Sequence, residues 1–205
     1  MRRKMYDYLK ELDLRKIDTQ LALQCAPVIA GHKVSNLLNL CGGSQAQLTE
    51  ILSGTGISCL LLSVKKDRHT FLLYRRDLLE ELIIQPGNRL YLKKAGLGGE
   101  SLEEILDEIQ TRYRDYISGR ADFPHEIGVL LGYPVADVEG FVENRGKNYL
   151  CSGYWKVYDD LSEAKKRFAL FDQSRERLME QLAAVRDIRL LLAPQALLPS
   201  IAGAA

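Results

Sequence analysis

No apolar run in the sequence approaches the roughly 20 residues that a membrane-spanning helix needs. The basic start, Met1 to Lys10, also lacks the apolar core of a secretory signal. The expected compartment is therefore the cytosol, with no membrane partner. The four cysteines, Cys25, Cys41, Cys59 and Cys151, include no C-x-x-C pair and show no zinc-finger spacing with the three histidines. In a reducing compartment they read as free thiols, several of them packed as small apolar groups. Net charge is scarce too. With 28 basic and 27 acidic side chains the balance is +1, so no global field selects a polyanion. The run Gly96-Leu97-Gly98-Gly99-Glu100-Ser101 has neither the lysine and spacing of a P-loop nor the G-x-G-x-x-G of a dinucleotide fold. It reads as a flexible turn, and no catalytic motif stands out anywhere in the chain.

What is present is an ordinary globular composition, 46% hydrophobic and 27% charged over 205 residues, enough for one sizeable core. The distinctive stretch is Phe123 to Tyr158, which holds the only tryptophan, one histidine and two of the six prolines. Asp122 and Pro124 suit a helix start, Ile127, Leu130 and Leu131 form a helical stripe, and Gly132 suits its end. Pro134 opens a second short helix with Val135, Val138, Phe141 and Val142 on its apolar side, ended by Asn144-Arg145-Gly146. The pair has the spacing of a DNA-binding helix-turn-helix, yet the second helix offers Asp137, Glu139 and Glu143 where a groove reader carries cations. A helical packing corner is expected instead, with no nucleic-acid partner. Beyond Gly146 the period changes to two, which predicts a strand over 149–158 with Tyr154 and Lys156 on one face and Trp155 on the other. Either this is an aromatic and cationic platform for a planar or anionic ligand, or its rings pair across strands.

The blocks His125-Glu126-Ile127-Gly128, Leu131-Gly132-Tyr133-Pro134, Asp137 to Asn144 and Gly153 to Tyr158 resemble an uncharacterised bacterial family, domain of unknown function 3793. Cys25 to Leu40 and Leu72 to Arg76 are similar to its other recurring blocks, so the resemblance spans roughly residues 18 to 172. It implies a cytoplasmic protein of anaerobic Firmicutes and carries no activity or catalytic residue with it.

Elsewhere the pattern predicts a charged helix over 1–17 and a second helix capped by Asp18 or Thr19, broken near Pro27 before Val28–Lys33. Ser35 is expected to cap a short helix over 36–40, and Ser44 with Gln47 another through Leu52. Ile57–Val64 and His69–Arg76 read as a hairpin with a charged loop and His69 exposed. Its leucines 60–62 imply a central strand. Asp77 with Glu80 predicts a helix stopped by Pro86-Gly87, and Arg89–Lys94 alternates as a possible third strand. The clearest helix is 102–118, capped by Ser101 and Glu104 and carrying a Glu108–Arg112 pair. Asp160 with Glu163 starts a long C-terminal helix whose near-heptad seam either projects toward a partner helix or folds back.

The expected fold class is α+β: a small antiparallel sheet (hairpin 57–76 plus strand 149–158) covered by several helices, with a long C-terminal helix. Residues 1–192 are expected to form a single globular domain and 193–205 a loose C-terminal tail. Three functional classes are compatible with the residues. The first is a small-ligand or cofactor binding protein with a site between the 124–144 corner and the Tyr154-Trp155-Lys156 strand, the cofactor itself unspecified. Its candidate ligand-binding residues are His125, Tyr154, Trp155, Lys156, His32 and Lys33. His125 and Cys151 are candidate ligands for haem or a soft metal. The second is an interaction module using a protein partner at the corner or the C-terminal helix. The third is a thiol enzyme using Cys41 or Cys25 with His32 or His125.

Overall fold

The computed structural model describes residues 12–41 and 45–192. In chain order its elements are α1 (Ile17–Ile29), β1 (Ser35–Cys41), α2 (Gln45–Leu52), β2 (Ile57–Lys65), β3 (Arg68–Arg75), α3 (Arg76–Ile84), α4 (Pro86–Lys94) and α5 (Leu102–Ile117). They continue as α6 (Ile127–Leu130), α7 (Val135–Glu143), β4 (Cys151–Ser152), β5 (Lys156–Val157), α8 (Leu161–Val185) and α9 (Ile188–Leu192). The class is α+β, as expected. The predicted helix over 1–17 lies outside the described residues up to position 11, and 12–16 are turn and bend, not helix; the tail over 193–205 and the Ser44 cap lie outside the described residues.

The sheet is antiparallel, in the order β1-β3-β2. Phe71, Leu72 and Leu73 in β3 are consecutive and fully buried, which requires cover on both faces of the strand. Alternation divides them. Phe71 and Leu73 join Leu38 and Leu40 of β1 in one core with α1, α2, α8 and α9. Leu72 and Leu62 join the core formed with α3 to α6 on the opposite face. The central strand is thus β3 and not the leucine-rich β2, whose pairing shifts at a bulge between Leu61 and Ser63.

The third strand comes from a segment that reads as a helix. Ser35–Cys41 pairs residue for residue with Tyr74–Arg68, so a sheet partner distant in sequence overrides a leucine spacing that suits either state. Its other edge is covered by Gln24, whose amide donates to Asn39 O at 3.0 Å and accepts from Asn39 N at 2.9 Å. This side chain closes an edge that would otherwise template another strand. Arg89–Lys94, alternating in sequence, belongs to α4. Pro86 occupies the first turn, where its missing N–H costs nothing, and so it starts a helix as well as ending α3. Asp77 lies in the first turn of α3 and makes no capping bond. Ser101 does cap α5, accepting from Glu104 N at 3.2 Å.

Pro27 does not break α1 but sits in its last turns. The helix closes with His32 N on Pro27 O at 2.9 Å and Gly31 N on Val28 O at 3.1 Å. Gly31 takes φ +74° there, the left-handed residue that such a C-terminal motif demands. Asp160 caps α8 by accepting from Glu163 N at 2.9 Å. The apolar side of α8 folds back: Leu178, Met179 and Leu182 are buried against α1 residues such as Leu21 and Cys25. His69 is half-buried, and its Nδ1 is enclosed without a hydrogen-bond partner, contrary to the exposed position expected beside the hairpin loop.

Among the described residues no helix is long and apolar enough to cross a membrane.

Candidate functional site

The predicted strand over 149–158 is a two-rung ladder of its own. Cys151 pairs with Val157 and Ser152 with Lys156, separate from the larger sheet. Between the rungs the chain turns through Gly153, Tyr154 and Trp155, so the period of two does not run through it. A Cβ on Gly153 would lie 2.3 Å from Phe168 Cε2, so only glycine admits this close approach to α8.

The turn presses Trp155 inward until 7% of its surface is exposed. Its ring stacks on Tyr133 at 5.1 Å and meets Phe168 edge-on at 4.5 Å. The indole Nε1 donates to Asp137 Oδ2 at 2.6 Å. Asp137 also accepts from Tyr158 N at 2.6 Å and Asp159 N at 3.1 Å. It is 3% exposed, where the sequence pattern had placed it on the outer side of α7. This carboxylate ties α7 to the hairpin, and a buried anion is tolerable because three donors meet it.

The α6–α7 corner is compact because Gly128 leaves no room for a side chain: a Cβ there would meet Val138 Cγ2 at 2.9 Å. Gly132 turns the corner at φ +76°. No side-chain cap from Asp122 is seen, since the residue preceding α6 is Glu126. Glu126 instead accepts from Arg112 Nη1 at 2.5 Å, while Arg112 Nε bonds Glu108 at 2.8 Å. The expected Glu108–Arg112 pair is thus extended to anchor the corner on α5. Glu126 turns away from its neighbour His125, whose ring stands between Phe123 at 5.3 Å and Phe141 at 5.2 Å.

The corner and the hairpin line a half-open cavity of about 350 Å³. Phe123, His125 and Phe141 line one part, Tyr133, Trp155 and Gly153 another, and Leu37 reaches it from β1. The polar groups at its wall are few: His125, Asp137, Ser152 and Lys156. Lys156 Nζ donates to Gly146 O at 2.6 Å and lies 4.8 Å from the Tyr149 ring centre and 5.5 Å from that of Phe141. Such a cage holds an ammonium by its faces as well as by its hydrogen bond.

Of the six candidate residues, His125, Trp155 and Lys156 line this cavity, while Tyr154, His32 and Lys33 do not. Tyr154 packs edge-on against Phe171 and donates its hydroxyl to Asp172 Oδ1 at 3.0 Å. Burial pushes that hydroxyl far above the ordinary tyrosine range. His32 Nδ1 is 2.8 Å from Ser174 Oγ on α8. Lys33 is 3% exposed, lies 5.3 Å from the Tyr133 ring centre and donates to Asn36 Oδ1. Desolvation, eased slightly by Cys25 nearby, lowers its ammonium to about 7.

Cys151 does not line the cavity with His125. Among the described residues no group of three or more His, Cys, Asp or Glu side chains is placed to hold a metal ion. Cys25 is fully buried, and burial pushes its thiol up to about 12. That is the opposite of what an attacking thiolate requires. Cys41 is exposed at the end of β1, opposite Arg68.

The family model described as protein of unknown function, DUF3793, matches residues 21–192, and the chain belongs to that family. No curated protein and no solved structure matches the chain.

Proposed function

We propose that this protein binds a small, flat, largely apolar molecule in the cavity between the α6–α7 corner and the Trp155 turn, serving in the cytosol as a binding or accessory protein. The observation that carries the reading is the convergence of His125, Phe141, Trp155 and Lys156 on one space of about 350 Å³. Small-molecule sites typically span about 300–1,000 Å³, mostly apolar with a few converging polar groups, and this wall has that character. The aromatic rings supply contact area at little conformational cost. His125, Ser152 and Lys156 supply orientation.

Other partners are less well supported by the same residues. The exposed acids Glu139 and Glu143 on α7 repel the phosphates that a helix-turn-helix must neutralise. The seam of α8 is spent on α1, which leaves it unavailable to a partner helix. The four cysteines are all free, in keeping with a reducing compartment.

A library of small aromatic fragments, read by thermal shift and by the emission of the single tryptophan, tests the proposal. Fragments that raise the melting temperature should also shift Trp155 emission, because ligand binding stabilises the folded state by mass action. Ser152→Phe, at an exposed position on the cavity wall, should abolish both effects without unfolding the protein. Fragments that stabilise this variant as strongly as the wild type would refute the site.

A further inference from the structure

Lys156 is the one ammonium on the cavity wall, and among the described residues no carboxylate lies within ion-pair distance of it. One of its three N–H groups is used on Gly146 O at 2.6 Å, which leaves two for another acceptor. The cavity's carboxylate cannot serve a cationic ligand in exchange, because Asp137 already receives Trp155 Nε1, Tyr158 N and Asp159 N. Arg167 stands 4.9 Å from the Trp155 ring centre, with Nη2 held by Gly132 O at 2.8 Å. Lys156 thus lacks an anionic partner, while the cavity's one carboxylate is saturated.

Resting on the binding site proposed above, we propose that its ligand is an aromatic carboxylate, with the ring among Phe123, Phe141 and Trp155 and the carboxylate on Lys156 Nζ. A carboxylate fits better than a phosphate. A phosphate monoester carries nearly two charges at neutral pH and is usually met by several donors at once, from arginine forks, lysines or a helix N-terminus, whereas this wall offers a single ammonium beside a neutral hydroxyl at Ser152. Charge-assisted hydrogen bonds are roughly twice as strong as neutral ones. A neutral amide in the same place still accepts from the ammonium but brings no charge to pair with it, so the ion pair gives the carboxylate about tenfold in affinity over it.

Calorimetric titration of the full chain with 1-naphthoate, its neutral isostere 1-naphthamide and 1-naphthyl phosphate tests the assignment. We expect naphthoate to bind about tenfold tighter than naphthamide and tighter than the phosphate. Lys156→Met should abolish the preference, bringing naphthoate to the level of naphthamide in the same variant, and retained naphthamide binding shows that the variant is folded. Lys156→Arg should keep the preference. Equal binding of naphthoate and naphthamide to the wild type would overturn the carboxylate assignment while leaving the site intact, and tighter phosphate binding would overturn it as well. Failure of all three compounds to bind would overturn the site reading itself.

Discussion

Lys33 gives the sharpest quantitative prediction, because the structure buries an ammonium without an anionic partner in ion-pair range. In the unfolded chain its pKa is that of a free lysine, 10.5, and in the folded protein desolvation lowers it to about 7. Between these values the unfolded chain holds a proton that the folded chain has released, so stability must rise with pH. Below about 7 both states are protonated and the full cost of burying the charge is present. The alkaline end of the clean window is set by Cys25, whose thiol is raised from its ordinary 9.0 to about 12 by burial on folding. Above 9 the unfolded thiol ionises while the folded one does not, and that opposing slope cancels the lysine's. With one pKa unit equal to about 1.4 kcal/mol, the gain from pH 7 to pH 9 integrates to about 2 kcal/mol. Urea unfolding at pH 7, 8 and 9, with the thiols kept reduced, measures it. Lys33→Met, which fills the same space without the charge, should lose the rise and be at least as stable as wild type at pH 7. A wild type that is flat or falling over this window, parallel to Lys33→Met, would refute the reasoning.

Asp137→Ala should leave the Trp155, Tyr158 and Asp159 donors unpaired in a buried place. A loss of about 3 kcal/mol or more is expected, read by denaturant unfolding together with a red-shifted tryptophan emission. Gly153→Ala puts a methyl 2.3 Å from Phe168 Cε2 and should cost about 1–3 kcal/mol. Gly87→Ala, in α4 with nothing within 4 Å, should stabilise by up to about 1 kcal/mol, and melting temperatures compare the two. Tyr158 carries a hydroxyl enclosed without a hydrogen-bond partner, so Tyr158→Phe should leave stability unchanged or raise it by up to about 1 kcal/mol. A measured loss above that would mean the hydroxyl has a partner in solution.

The elements legible in the sequence are those set by local chemistry. The caps at Ser101 and Asp160, the stop at Gly132 and the hairpin of β2 and β3 follow from side chains a few positions apart. What misled was decided across the fold. Ser35–Cys41 becomes a strand because β3 accepts it, and Arg89–Lys94 a helix because Pro86 nucleates its first turn. Asp137 looks solvent-facing from helical period alone, and only the distant Trp155 turn brings donors to it. For the site, His125, Trp155 and Lys156 were readable as chemically unusual residues within one stretch. Phe123, Tyr133, Phe141 and Leu37 were not, since an aromatic at helical spacing reads as core. Tyr154 departs from the expected platform because Gly153 lets the turn swing it onto Phe171 and Asp172.

The proposed ligand binding depends on the half-open space that the Trp155 turn and the α6–α7 corner line together. Because the chain has a single tryptophan, 5-fluorotryptophan labelling yields one fluorine resonance that reports on the cavity wall. Titration with 1-naphthoate should move that resonance saturably, with the same dissociation constant as calorimetry, and Ser152→Phe should abolish the shift. Calorimetric binding that leaves the resonance in place would contradict the account.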